Sequence, residues 1–234
     1  LMKRDPKYWA KLMALPENER RALAFGDWDI FAGQVFNEWR RERHVVAPIN
    51  IPRDWPRWIG YDFGLRNPAC ALWLTRDPDG NVYVYREMYV RHLTDVDQAR
   101  LIRHMTAGER VLAMYADPSC FNRQPNGTSA HQNMQRFLPC PMVPANNNRH
   151  SGWHRVHEYL RWTAERPEPR LRVFNECLNL IRTLPSVTYD THVNRLEDVD
   201  SKTEDHAPDA LRYCLMGTTV RRSVGRNVEF EVVA

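Results

Sequence analysis

Lysine is almost missing from this 234-residue chain. It stands only at positions 3, 7, 11 and 202, so 29 of the 33 basic residues are arginine. Missing too is any C-x-x-C pair. Cys70, Cys120, Cys140, Cys177 and Cys214 are scattered and odd in number, which argues against a disulfide framework or a zinc knuckle and fits a reducing cytoplasm. The longest apolar runs, such as 69–74, fall far short of the roughly 20 residues that span a bilayer. No N-terminal stretch has the charged-then-apolar layout of a signal peptide. Helix-turn-helix, zinc-finger and basic-zipper patterns are absent, as are internal repeats and low-complexity tracts. What is present is 43% hydrophobic content with eight tryptophans, ample for a core, and a net charge of +4. That bias is too small to indicate nucleic-acid binding alone. The arginine excess suits bidentate phosphate contacts and equally suits a GC-rich coding sequence.

Residues 1–50 read as a helical appendage or linker, with helices expected after Asp5-Pro6 and from Pro16, ending in a charged run and a proline-rich joint over 48–56. The main domain is expected over 51–217 and a tail over 218–234. Three strands are predicted in quick succession at 57–62, 69–75 and 81–90. The turn Asp77-Pro78-Asp79-Gly80 is too short for a parallel crossover, so the pairing there is antiparallel. Beyond residue 94 the pattern alternates. Helices are predicted after Thr94, around 129–137, 152–164 and 177–184, and from about Asp205 to Met216. Strands are predicted at 110–116, 141–144 and 171–174. The result is an α/β fold, a mixed sheet flanked by helices.

Three acidic segments stand out: Tyr61-Asp62-Phe63-Gly64, Tyr115-Ala116-Asp117-Pro118-Ser119 and Glu204-Asp205-His206-Ala207-Pro208-Asp209. Two end strand-like runs and the third opens an amphipathic helix. Sites in α/β sheets gather at strand ends, and converging carboxylates are the ligands that hard divalent cations need. Each acid also has a plainer reading. Asp117 suits a turn, and Asp205 suits a helix N-cap with Pro208 in the first turn. Asp209 resists it, because it borders the apolar stripe of Ala210 and Leu211, where an uncompensated carboxylate is costly. His206 is expected either to orient a water or join a metal shell, or simply to finish the cap.

These motifs, with Asp205-His206-Ala207-Pro208-Asp209-Ala210-Leu211-Arg212-Tyr213 the most specific, resemble the C-terminal nuclease domain of the large terminase subunit of tailed bacteriophages. Gly26-Asp27-Trp28, Gly33 and Phe36-Asn37-Glu38-Trp39 resemble the stretch that joins that family's ATPase to its nuclease. The resemblance implies a ribonuclease H-like fold and an endonuclease that cuts concatemeric double-stranded viral DNA during packaging in the host cytoplasm. It implies Mg²⁺ or Mn²⁺ as cofactor, two ions in number, and portal and small terminase subunit as partners. Carried over by motif, Asp62, Asp117 and Asp209 are the principal metal-binding acids, with His206 and Asp205 auxiliary. Glu87 corresponds to a further acid on the third strand, or else to an ordinary strand residue. One departure is the lack of a G-x-x-x-x-G-K-[ST] phosphate loop. Together with the start at Leu1, it is read as a fragment whose ATPase domain belongs to a longer chain.

Other rings and arginines have less specific readings. His150, His154 and His157 are spaced as on one helix face but lack the glutamate of a zinc hydrolase. With Arg149, Arg155 and Arg161 they are expected to form a basic surface for DNA. The loops 122–127 and 146–149 are candidates for phosphate contact. Competing readings are a junction resolvase or transposase of the same fold, and a non-catalytic module whose acids are turn caps.

Overall fold

Residues 57–90 carry the densest β-branched, aromatic and apolar sequence, and they form the centre of the sheet. The computed structural model describes residues 34–123, 127–189 and 204–218. Its strands are β1 (Val45–Val46), β2 (Arg57–Asp62), β3 (Ala69–Arg76), β4 (Val82–Val90), β5 (Met114–Ala116), β6 (Met142–Pro144) and β7 (Leu171–Phe174). The helices are α1 (Arg41–His44), α2 (Asp95–Met105), α3 (Ala130–Gln135), α4 (Arg149–Leu160), α5 (Leu178–Thr183) and α6 (His206–Gly217). The sheet runs β1-β7-β4-β3-β2-β5-β6. β2, β3 and β4 form the expected antiparallel meander, while β5, β6 and β7 join in parallel.

Every residue of β2 and β3 is buried, as befits central strands covered on both faces. The β3–β4 turn closes as its sequence demands. Asp77 takes the Asn81 amide (2.8 Å) and side chain (2.7 Å), and Gly80 supplies a φ of 83°. On one face, α2 is tied down by Tyr61 Oη to Gln98 (2.5 Å) and Trp73 Nε1 to Thr106 (2.9 Å). On the other face, α6 packs across β2, β3 and β5, with α4 against its outer side. All five cysteines are buried free thiols and act as small apolar fillers.

Helix α6 lies unusually close to the sheet. A Cβ on Gly60 would stand 1.9 Å from the Ala210 carbonyl oxygen and 2.9 Å from Cys214 Cβ. Farther along, a Cβ on Gly217 would meet the Tyr115 ring at 2.3 Å. Buried Arg76 finishes the helix by donating to Thr218 O (2.7 Å) and Oγ1 (3.2 Å), a cation on the negative end of the helix dipole.

The sequence places residues 1–50 in an appendage, but from residue 34 onward they build into the domain. Val35, Phe36 and Trp39 are buried. Phe36 meets Trp153 edge-on at 5.7 Å, and Glu38 pairs with His157 at 3.0 Å. β1 extends the sheet edge beside β7. The proline-rich joint marks a crossing from the sheet's edge at β1 to its centre at β2, and a two-residue strand carries no alternation to reveal it. The helices expected near residues 5 and 16 and the tail from 219 lie outside the described residues.

Two further boundaries moved. α4 starts at Arg149 because the Asn148 side chain caps the Ser151 amide (3.0 Å), and it stops where Arg161 turns extended. Only the last three residues of the predicted 110–116 strand pair as β5. Gly60→Ala is expected to cost about 1–3 kcal/mol or more by forcing α6 off β2, measured as a lower urea midpoint at unchanged m-value.

Candidate active site

Parallel register brings the first two acids together. Tyr61 of β2 pairs with Ala116 of β5, so Asp62 and Asp117 follow on neighbouring strands and share the sheet face covered by α6. The Asp117 amide still donates to Tyr61 O at 3.1 Å. Asp117 Oδ1 accepts from the Ser119 amide (2.7 Å) at the start of a short 3-10 turn, Pro118–Phe121. Its Oδ2 lies 3.4 Å from Tyr213 Oη. The turn-cap reading of Asp117 therefore holds, and it leaves one oxygen directed at α6.

The third acidic segment arrives on α6. His206 Nδ1 is 2.8 Å from Asp62 Oδ2. Asp205 occupies the N-cap position but makes no side-chain cap. Only its carbonyl serves, accepting from the Asp209 amide at 2.7 Å. Its carboxylate instead faces Arg149 Nη2 at 3.8 Å. Asp209 Oδ1 accepts from Arg212 Nε at 2.9 Å. Just upstream, Glu204 receives Tyr89 Oη (2.6 Å) and both terminal nitrogens of Arg182 (2.7 and 2.9 Å). That clamp fixes the approach to the helix.

Glu87 is placed differently. By register it shares the α6 face, opposite Leu72, which lies opposite Gly60. It is thus two strands from β2, about 10 Å in the hydrogen-bonding direction. Its carboxylate accepts from Asn179 N (2.9 Å) and Nδ2 (2.7 Å) and from Leu180 N (2.7 Å), so it caps α5. The three α4 histidines do not converge either. His157 pairs with Glu38, and His154 leans toward Glu158 at 4.0 Å. Arg155 also bonds Glu158, at 2.9 Å.

Electrostatics marks this acid cluster as short of positive charge. Burial, aided by the charges of Asp209 and Asp117, raises Asp62 to about 7 despite its hydrogen bond to His206. Burial and Asp209 raise Asp205 to about 6 against the pull of Arg149. His206 is raised by its bond to Asp62, against desolvation. Carboxylate oxygens with one imidazole are a donor set suited to Mg²⁺ or Mn²⁺, and a divalent ion would relieve the repulsion. Among the described residues, no three such side chains close on one point in this conformation. Asp117 is turned partly to Ser119, and Asp209 to Arg212.

Glu204, Arg212 and Tyr213 lie within the acidic motifs, but their residue types and spacing point to no role. The Tyr89 and Arg182 contacts carry no local signal, because their partners are 115 and 22 residues away.

Residues 59–217 match the family described as the terminase RNaseH-like domain. No curated protein sequence matches the chain. Among solved structures, the nuclease domain of the P22 large terminase superposes with a TM-score of 0.63 at 19% identity, covering 79% of this chain and 92% of that one. A large terminase from a thermophilic bacteriophage, in complex with ADP, gives 0.63 at 17% identity. The match covers 92% of this chain but only 52% of that longer one. The large terminase nuclease from thermophilic phage G20c with bound magnesium gives 0.57 at 11%, covering 79% and 97%. The mixed seven-stranded sheet flanked by helices is thus the ribonuclease H-like fold of these nucleases.

Asp62, Asp205 and His206 all bind their protons more tightly when folded. These three groups therefore hold extra protons in the folded state from about pH 4 to 7, and their contribution to stability falls as pH rises through that window, opposed by buried His44, whose value is lowered. For His206 the favourable contribution is complete below the unfolded value of 6.5 and is lost above its raised folded value. Metal-free protein is expected to melt at lower temperature at pH 8 than at pH 5.5, with Asp62→Asn flattening the slope. Differential scanning calorimetry across that range checks both.

Proposed function

This chain belongs to the terminase RNaseH-like domain family, and we propose that it is a metal-dependent endonuclease cutting concatemeric double-stranded viral DNA during genome packaging. The observation that carries the proposal is the meeting of Asp62 and Asp117 at adjacent parallel strand ends beneath the helix that bears His206 and Asp209. Asp62, Asp117 and Asp209 would hold the metal, with Asp205 beside them. Two bound Mg²⁺ or Mn²⁺ ions would activate a water and stabilise the leaving oxygen of the phosphodiester. His206 holds the Asp62 carboxylate through Nδ1 and would use its second ring nitrogen to orient the water or take its proton. Glu87 would act at one remove, fixing α5 beside the site rather than binding an ion.

Substrate and setting follow from the same reading. Arg149, Arg155 and Arg161 would contact phosphates on the DNA flank, giving largely sequence-independent affinity that falls with salt. The domain itself would run from about residue 34 to 217, with the 218–234 tail serving to dock the portal. In the full-length protein an N-terminal ATPase domain would precede this one, and the small terminase subunit would supply timing and specificity in the host cytoplasm. Among the described residues, no helix is long and apolar enough to cross a membrane.

Plasmid DNA with Mn²⁺ tests the activity. The parent should linearise it, and Asp62→Asn or Asp209→Asn should lower the rate at least about 100-fold. Equal cleavage by either variant would remove the metal-site reading, and no cleavage by the parent would favour a non-catalytic docking role.

A further inference from the structure

Arg212 is the most deeply buried cation beside the site, with a side chain 2% exposed. Burying a guanidinium is costly unless its donors are met. Here the compensation is incomplete. Nε donates to Asp209 Oδ1 at 2.9 Å, while Nη1 is buried without a hydrogen-bond partner among the described residues. The planar group lies against the Trp153 ring at 4.8 Å and the Tyr213 ring at 4.5 Å, contacts that restrain its rotation.

The stem is equally constrained, because it passes over α4 at Gly152. A Cβ there would stand 2.6 Å from both Arg212 Cγ and Cδ. Those are the inner atoms of a buried side chain, with little room to yield. Gly152 φ is unexceptional, since only Gly80, Gly108 and Gly127 are positive among the described glycines. Its glycine is therefore explained by Arg212 rather than by backbone geometry.

We infer that Arg212 is a positioning residue for the ligand Asp209, locked by Trp153 and Tyr213 and admitted by the gap at Gly152. The inference rests on the proposed metal-site reading. By engaging Oδ1 and not Oδ2, Nε fixes the carboxylate rotation and leaves one oxygen for a cation. Hydrogen-bonded outer partners of this kind typically change metal affinity 10–100-fold when lost. Tyr213, the next residue, approaches Asp117 in the same way from the same helix. Lysine cannot replace the arginine, because its charge is terminal and it has no Nε–H.

The test is calorimetric titration of the whole chain with Mn²⁺ alone, without DNA. It compares the parent with Arg212→Lys, Arg212→Met, Gly152→Ala and Asp209→Asn, with circular dichroism to establish folding. Folded Arg212→Lys and Gly152→Ala should bind Mn²⁺ roughly 10–100-fold more weakly. Parental affinity in a folded Arg212→Lys or Arg212→Met would overturn the inference while leaving the metal reading intact. Absence of binding in the parent, with Asp209→Asn identical to it, would overturn the metal reading and this inference with it. If the Arg212 and Gly152 variants all unfold, the arginine Nε–H resonances of the parent decide under added Mg²⁺. One protected signal shifting along the binding isotherm supports the positioning role, and no shift contradicts it.

Discussion

The backbone of α6 rests directly on β2 at Gly60, and the site depends on that contact. Any side chain at position 60 would collide with the Ala210 carbonyl, lifting the helix by more than a hydrogen bond can stretch. With the helix seated, His206 reaches Asp62 and Tyr213 approaches Asp117. Arg76 holds the far end through Thr218. The near end is held by Glu204, gripped by Tyr89 and Arg182. One close approach, secured at both ends, brings three distant stretches of sequence to the same end of the sheet.

That cluster is electrostatically strained by design of its parts. Asp62 is buried beside two other carboxylates, and its direct counter-group is an imidazole. Arg149 faces Asp205 at 3.8 Å, and Arg212 donates to Asp209 at 2.9 Å. Ordinary selection for stability would remove such repulsion, since unpaired buried charge is among the most destabilising features of a fold. A divalent cation at the site would offset that repulsion.

Much of this was visible in the sequence because the signals were local. The meander followed from the Asp77–Gly80 turn between apolar runs, and Asp62 and Asp117 sat at strand ends by periodicity alone. The α6 boundary was marked by Pro208 and the stripe of Ala207, Ala210, Leu211 and Cys214. Other features had no local signature. β1 is two residues long and pairs with β7 more than 120 positions later, so residues 34–46 read as a linker. Glu87 has nothing nearby to show that it caps α5. Asp205 has the residue type and position of an N-cap, yet its side chain faces Arg149 at the start of the neighbouring helix α4. Nothing near Gly152 in the sequence signals that the Arg212 side chain fills the space beside it.

The central claim is that Asp62, Asp117 and Asp209 share divalent ions. A crystal structure with Mn²⁺, read by anomalous scattering, tests it most directly. Convergence requires one or two peaks at about 2.0–2.2 Å from oxygens of all three carboxylates, with Asp209 still held by Arg212. Peaks that omit Asp117 or Asp209, or none at saturating Mn²⁺, would contradict it.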